Sequence, residues 1–309
     1  MKVLFVVNVW RGRRQPQQRM LDSIERLFDE FATEREIFLS ETVEQSMERV
    51  RGAREDGFDT LWIGGGDGTV NALLNQSIGR GFSYGIVPMG TINALARCIG
   101  IPHSPVAAAR YLLQASPVKM DVGRVNERHF LCFASVGFDA AVVHGVDEAS
   151  KARLGRFAYL FRGLRQAASP GRLPKLEIEL NNPDTDQTVT ASAESVILSN
   201  LQDYAGLRMF HRVRPASGKM ELYLLKSSRF ATLAGLFGGA ALGVAGWHKW
   251  VPGVEHHEFS RMRVRGAERL HLQLDGDAVS LGADRDYVFE VLPGAVQVLL
   301  NREGNQPAP

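Results

Sequence analysis

The sequence predicts an α/β protein of two domains. The N-terminal domain is expected to be a doubly wound, mostly parallel α/β nucleotide-binding unit, and the C-terminal one β-rich and antiparallel. Three observations predict this. In the first 120 residues, apolar runs alternate with segments of helical periodicity, as in a parallel sheet. After Met120, short apolar runs follow one another with turn residues between many of them. The chain has 309 residues, 45% hydrophobic and 23% charged, enough for two cores. The expected boundaries are 1–122, completed by the C-terminal segment 294–309, and 123–293.

The elements follow in order. KVLFVVN (2–8) is a continuous apolar run, as expected for a strand covered on both faces. Met20, Leu21, Ile24, Leu27, Phe28 and Phe31 recur at helical spacing. EIFLS (36–40) is a second strand, and Val43, Met47 and Val50 mark a second helix that ends near Gly57. TLWI (60–63) is a third strand running straight into glycines, with a helix from Thr69 to Ile78 behind them. YGIVP (84–88) is a fourth strand, followed by helices over about 92–98 and 106–114. Beyond Met120, MDVGRVN and HFLCFASVGF read as consecutive strands, with helices around 139–149 and 155–168. KLEIEL, TASAESVILSN, MELYLLK, RMRVRG, RLHLQL and YVFEVL complete the strand set, NNPDTDQ (181–187) reads as a turn and 302–309 as a frayed tail.

Composition excludes several classes. A net charge of +2 gives no global basic field of the kind nucleic-acid binders carry, so no nucleic-acid partner is expected. Local arginine clusters occur at 11, 13 and 14, at 208, 212 and 214, and at 261, 263 and 265; they are either solvated surface or docking points for phosphates or an anionic membrane. Two cysteines without motif spacing exclude a disulfide framework or a zinc site. The histidines form no ligand pattern, and His256 and His257 point to opposite faces if they lie on a strand. The apolar start lacks a cleavage site and reads as a buried strand. Phe230 to Trp247 is free of charge for 18 residues, with Gly235, Gly239 and Gly243 at four-residue spacing. It is short and rich in Gly and Ala for a span, and reads as a packing helix whose glycine face is a candidate contact for a second copy, or alternatively as a membrane-contacting element.

The stretch WIGGGDGTVN (62–71) carries the chemistry. A strand, a glycine-rich turn and a helix make an anion site, because backbone N–H groups converge and the helix adds its positive end. A dinucleotide fingerprint would need a small residue at position 69 and an acid about 20 residues on. Position 69 is Thr, and no Asp or Glu stands between Asp67 and Asp121. The lysine of a P-loop is also missing. A kinase turn of the G-G-D-G-T type is the third reading, in which an acid beside a phosphate nest suits Mg²⁺, which takes one or two carboxylates plus phosphate oxygens; a glycine turn that merely closes a strand–helix corner is the alternative. Asp67 alternatively bonds the acceptor hydroxyl or the turn itself.

GGGDGTVN resembles the phosphate-binding motif of the diacylglycerol kinase catalytic-domain family, which includes bacterial lipid kinases and sphingosine and ceramide kinases and is related at the fold level to NAD kinases. PMGTINALARCIGIP (88–102) is similar to the family's P-x-G-T-x-N-x-x-A-R segment, NVWRG (8–12) to its N-P-x-x-G opening, DVGRVN with FASVGFDA to its next strand pair, and LDGD (274–277) to its L-D-G-E. The resemblance runs in order along nearly the whole chain. It implies that Gly64, Gly65, Gly66, Gly68 and Thr69 cradle the ATP phosphates, with Asp67 serving the nucleotide, its Mg²⁺ or the acceptor. It implies a second nucleotide wall of Gly90, Thr91 and Asn93. Asn8 and Gly12 start the first strand–helix turn, and Ser40 ends the second strand near the nucleotide. Asp277 takes the place of the family's general base, and Asp121 is either a cleft residue or a strand-end cap.

Three departures stand out. Val9 replaces a proline. Asp277 replaces Glu, shortening the carboxylate's reach by one methylene, and Asp275-Gly276-Asp277 also reads as plain hairpin-turn chemistry. Ser217-Gly218 stands where the family has Asp-Gly; that Asp helps hold a structural Mg²⁺ in bacterial relatives, so no separate structural Mg²⁺ is expected. The implied activity is ATP- and Mg²⁺-dependent phosphorylation of a hydroxyl on diacylglycerol or a similar lipid, by a cytoplasmic protein that visits the inner membrane face. An NAD kinase-like small-molecule kinase and a nucleotide-binding regulator without turnover are the alternatives.

Overall fold

A computed structural model of the chain describes residues 1–8, 14–91, 93–138, 140–141, 175–181, 187–204, 207–210, 216–227, 230–243, 246–280 and 285–301. The helices expected around 139–149 and 155–168, the centre of the 181–187 turn, the 302–309 tail and Gly12 lie essentially outside these residues. The chain divides into two units, one formed by Met1–Met120 with the segment from Gly294 onward, the other by Asp121–Pro293.

In the first unit, strands β1 (Lys2–Asn8), β2 (Glu34–Ser40), β3 (Thr60–Gly65) and β4 (Ser83–Pro88) lie parallel in the order β2-β1-β3-β4. Helices α1 (Arg14–Glu30), α2 (Val43–Gly52), α3 (Asp67–Ser77), α4 (Ala94–Cys98) and α5 (Pro105–Leu113) connect and follow them. α1 buries Leu21, Ile24, Leu27 and Phe28, one stripe at helical spacing. Thr42 caps α2 by accepting the Gln45 N–H at 3.2 Å, while Gln45 accepts the Glu41 N–H at 2.9 Å. The core of this unit is aromatic. Phe5, Phe28 and Trp62 contact one another with ring centroids 4.8 to 6.5 Å apart. These rings need glycines opposite: a Cβ on Gly85 would stand 2.4 Å from Trp62 Cδ1, and one on Gly64 2.9 Å from Phe5 Cε2.

Here the structure corrects the expected glycine turn. The third strand does not stop at Ile63. It continues through Gly64 and Gly65, which pair with Val87 and Pro88 of β4. The helix behind it begins at Asp67, two residues earlier than expected, with Gly66 at the cap. The turn is therefore a single residue, and two of the glycines are strand positions kept bare by their neighbours.

Along the second unit run β5 (Ser116–Val125, begun in the first unit), β6 (Arg128–Phe130), β7 (Phe133–Gly137), β8 (Leu176–Asn181), β9 (Thr188–Ala193), β10 (Ser195–Ser199), β11 (Asp203–Tyr204), β12 (Leu207–Arg208) and β13 (Met220–Leu225). Helix α6 (Phe230–Ala241), a 3₁₀ turn (Trp247–Trp250), β14 (Val254–Phe259), β15 (Arg261–Gly266), β16 (Leu272–Leu274), β17 (Asp277–Val279) and β18 (Asp286–Leu300) follow. One antiparallel layer has the order β14-β13-β10-β7-β16-β17. The other is built on β18, β15, β8 and β9, with β5 pairing β18 and β6. Between them lies one core, with Phe130, Ile178, Met262 and Phe289 from one layer and Val136, Leu198, Leu222 and Leu272 from the other. β18 pairs first with β15 and then, at Gln297 and Val298, with β4 of the first unit's sheet.

Two expected single strands are each broken. TASAESVILSN divides at Glu194: β9 joins β8 in one layer, β10 joins β7 and β13 in the other. HFLCFASVGF divides at 131–132, with β6 on β5 and β7 on β10. Each long apolar run bends to serve both layers. At the second bend the carboxylate of Asp275 accepts the N–H groups of Leu131, Cys132 and Phe133 at 2.8 to 3.1 Å, so the break leaves no donor unpaired there.

The Gly235/Gly239 face of α6 is occupied by the chain itself. Trp247 lies on Gly239, where a Cβ would stand 1.8 Å from Cδ1, and Val251 lies on Gly235. The Trp247 indole N–H donates to Leu236 O at 2.6 Å. Gly243 has a positive φ of 67° just past the helix and closes it. The four-residue glycine spacing thus serves intramolecular packing. No described helix is long and apolar enough to cross a membrane.

Two variants test this packing. Gly239→Ala should lower unfolding free energy by about 1–3 kcal/mol by displacing Trp247. Asp275→Ala, which strands buried N–H groups at the β6–β7 bend, should cost roughly 2–5 kcal/mol. Urea unfolding measures both; a wild-type midpoint in either variant contradicts the role assigned here.

Candidate active site

The parallel strands of the first unit end together at Asn8, Ser40, Gly65 and Pro88. β1 has β2 on one side and β3 on the other, so the strand order reverses between β1 and β3, where open α/β sheets bind ligands. Asn8 and Thr69 meet across this point, the Asn8 amide donating to the Thr69 hydroxyl at 3.3 Å.

Two loops close over the strand ends. The first, after β3, is Gly66 and the start of α3. The second, after β4, is Met89 to Asn93. They touch through backbone: a Cβ on Gly90 would stand 2.5 Å from the Cα of Gly66. Asn93 holds the second loop in shape. Its side-chain oxygen accepts the Gly90 N–H and its amide donates to Gly90 O, both at 2.8 Å. Asn93 itself takes the left-handed conformation with φ 50°, which Asn tolerates better than most residues. Asp67, the first residue of α3, accepts the N–H of Ala94, the first residue of α4, at 2.6 Å. One carboxylate thus caps the neighbouring five-residue helix from outside.

The sequence-predicted residues sort by accessibility. Gly68 and Thr91 are exposed, and Gly66, Asp67 and Gly90 are partly so. Gly64, Gly65, Thr69 and Asn93 are buried, Gly65 because Thr69 lies on it, 2.7 Å from where a Cβ would be. Ser40 is fully enclosed. Its hydroxyl bonds Val7 O at 3.3 Å and Ser46 Oγ at 2.5 Å, and its role is to tie the end of β2 to β1 and α2. The reachable surface is therefore Gly66, Asp67, Gly68, Gly90 and Thr91. The cap residue Gly66 offers no side chain to the first N–H groups of α3. Those groups, with the helix dipole behind them, suit an anion.

In the second unit, Asp275 and Gly276 have φ of 52° and 93° and join β16 to β17 as a two-residue hairpin, with Leu274 opposite Asp277. Asp277 opens β17 and is exposed. The hairpin reading of LDGD is thus the geometry of Asp275-Gly276, and it presents Asp277 at the start of the returning strand. Gln273 supports the turn by accepting the Gly276 N–H at 2.9 Å. Asp121 is fully buried. Its carboxylate accepts the Gly218 N–H at 2.6 Å, and its carbonyl accepts from the Asn200 amide at 2.6 Å. Asp121 thus fastens the Ser217-Gly218 turn. Asn200 and the latch role of Asp275 escaped the sequence reading, because an Asn at the end of an apolar strand carries no motif. The arginines of β15 are surface pairs: Arg263 with Asp286, Arg265 with Glu179, and Arg261 with Glu290.

Residues 2–125 match the family model of the diacylglycerol kinase catalytic domain. This segment belongs to the diacylglycerol kinase catalytic-domain family. The kinase segment holds both glycine loops, Asp67, Asn93 and α4, and ends at the close of β5. Among its relatives is a diacylglycerol kinase of Bacillus subtilis (strain 168), 28% identical over 227 residues, 71% of each chain. The fold is shared with a crystal structure of a diacylglycerol kinase from Bacillus anthracis str. Sterne, with a TM-score of 0.74 over 98% of both chains at 20% identity.

The contact between Asp67 and Ala94 separates two roles for the acid. Asp67→Asn keeps an oxygen for the Ala94 N–H and should melt within a few degrees of wild type. Asp67→Ala should cost about 1 kcal/mol, the usual loss for a removed helix cap. Equal melting of the two variants by calorimetry would remove the cap assignment.

Proposed function

We propose that this chain is an ATP-dependent lipid kinase that transfers the γ-phosphate to a hydroxyl of diacylglycerol or a similar lipid. Membership of the kinase family supports a phosphotransferase. The observation that carries the reading is the pair of loops at the β1/β3 switch point. There, the first N–H groups of α3 have no side-chain cap and follow Gly66, which touches a second bare backbone at Gly90.

In this reading the N–H groups of Asp67, Gly68 and Thr69 bind phosphate oxygens, and Gly90 and Thr91 flank the nucleotide. Bare backbone at Gly66 and Gly90 lets the phosphates approach without displacing side chains. Mg²⁺ accompanies the nucleotide and neutralises phosphate charge when bound. Asp67 is the carboxylate nearest these N–H groups in sequence, and its bond to Ala94 fixes its position. Asp277 accepts the proton of the lipid hydroxyl as the new P–O bond forms. Its exposure at a hairpin end is compatible with that task, since a general base must reach the hydroxyl it deprotonates. The protein would work at the inner face of the cytoplasmic membrane, where such an acceptor resides.

Transfer of radiolabelled phosphate from ATP to a panel of lipids tests the reading. Asp277→Asn should reduce kcat by about 10²–10⁴-fold, the usual contribution of a general base. ATP should still raise the melting temperature of that variant. Full activity in Asp277→Asn removes Asp277 as base. Phosphorylation of NAD without lipid would make the chain a small-molecule kinase. ATP protection without transfer to any acceptor would make it a regulator.

A further inference from the structure

Large apolar side chains are exposed at only four described positions: Met1, Leu39, Leu242 and Trp250. Two of these belong to one structure. Leu242, 81% exposed, directly follows α6, and Trp250, 85% exposed, ends the 3₁₀ turn that packs back on that helix. Trp247 and Val251 clamp the 3₁₀ turn to the Gly235/Gly239 face, and the two elements together form a knuckle.

The outward face of α6 is unlike that of a soluble surface helix. It presents Ala231, Ala234, Gly238 and Ala241, leading to Leu242. The outward faces of α1 and α2 carry charges such as Glu25, Arg26, Glu48 and Arg51. A surface helix in water normally has such a polar face. The segment itself carries no carboxylate. No Asp or Glu occurs from Ser227 to Val254, while Lys249 lies between the two tryptophans, exposed and without an ion pair among the described residues.

We propose that this knuckle docks the chain reversibly on a lipid bilayer bearing anionic headgroups. Trp250 and Leu242 enter the interface and Lys249 meets the headgroups. Tryptophan favours the boundary between headgroup and acyl chain, and a lysine beside it extends its ammonium to the headgroup layer. The chemistry favours a membrane over a second copy. Protein interfaces are organised around large anchors seated in pockets, whereas the Ala and Gly face of α6 supplies none. It can lie flat at the membrane surface. The choice of a bilayer as partner rests in part on the lipid kinase reading; the surface itself does not.

Co-sedimentation with vesicles of equal parts phosphatidylcholine and phosphatidylglycerol tests this. Wild type should pellet with these vesicles and more weakly with pure phosphatidylcholine. Trp250→Ala and Leu242→Glu should each weaken partitioning about tenfold or more, which is about 1.4 kcal/mol or more. Both positions are exposed, so urea midpoints should match wild type and folding failure is distinguishable. Failure of wild type to bind, or wild-type binding by both variants, overturns the proposal. So does self-association of wild type in sedimentation velocity that Leu242→Glu abolishes, which would assign the knuckle to a second copy. Phosphate transfer to a short-chain, fully dispersed acceptor should be unchanged in Leu242→Glu. Absence of transfer in wild type would remove the kinase reading and leave the vesicle result standing.

Discussion

Gly66 and Gly90 approach so closely that a single added carbon would leave the Gly90 Cβ 2.5 Å from the Gly66 Cα. The end of the parallel sheet is organised by that contact. Two loops that follow adjacent strands can lie side by side only if neither has a side chain at the meeting point. Once they meet, Asn93 can fold the second loop onto Gly90, and the first residue of α4 comes within reach of Asp67. Fixed loop spacing of this kind is what a phosphate site requires, because donors must point inward before the ligand arrives. Close packing here and accessibility one or two residues away, at Thr91 and Gly68, are two aspects of the same geometry.

The second unit solves a different problem. Its layers share strands of sequence that must leave one sheet and enter the other. Each crossing exposes backbone groups that a regular ladder would have paired. At the β6–β7 crossing Asp275 supplies a single acceptor group for three successive N–H groups. The same residue, in a left-handed conformation, begins the hairpin that presents Asp277. The position of the proposed base and the stability of the bend therefore depend on one side chain.

Much of this was legible in the sequence, and the failures have a common cause. β1 was readable because five successive apolar residues, Val3 to Val7, admit little else. α1 was readable from its apolar stripe. The strand through Gly64 and Gly65 was not, because local rules treat glycine as an interruption, while the reasons for these glycines are Phe5 and Thr69, one of them distant in sequence. The breaks at Glu194 and at 131–132 were hidden because an apolar run does not state which sheet it belongs to. In the site, motif identity singled out Asp67 and Asn93, but their partners Ala94 and Gly90 depend on loop geometry. Ser40 was singled out by its place at the end of the second strand, but its enclosure and its bonds to Val7 and Ser46 were not legible. The spacing of Gly235 and Gly239 was legible; what fills the notch, Trp247, lies beyond the helix and was not.

Strand β18 carries a consequence for synthesis. The sheet of the first unit is completed beside β4 by Gln297 and Val298, more than 170 residues after the rest of that unit has been made. A ribosome needs roughly ten to thirty seconds to cover such a stretch. Throughout that interval β4 is an open edge on a nascent chain. The segment matched by the kinase family model, residues 2–125, thus lacks the strand that pairs with the outer edge of β4. The strand that covers that edge arrives only after the whole β-rich unit has been synthesised.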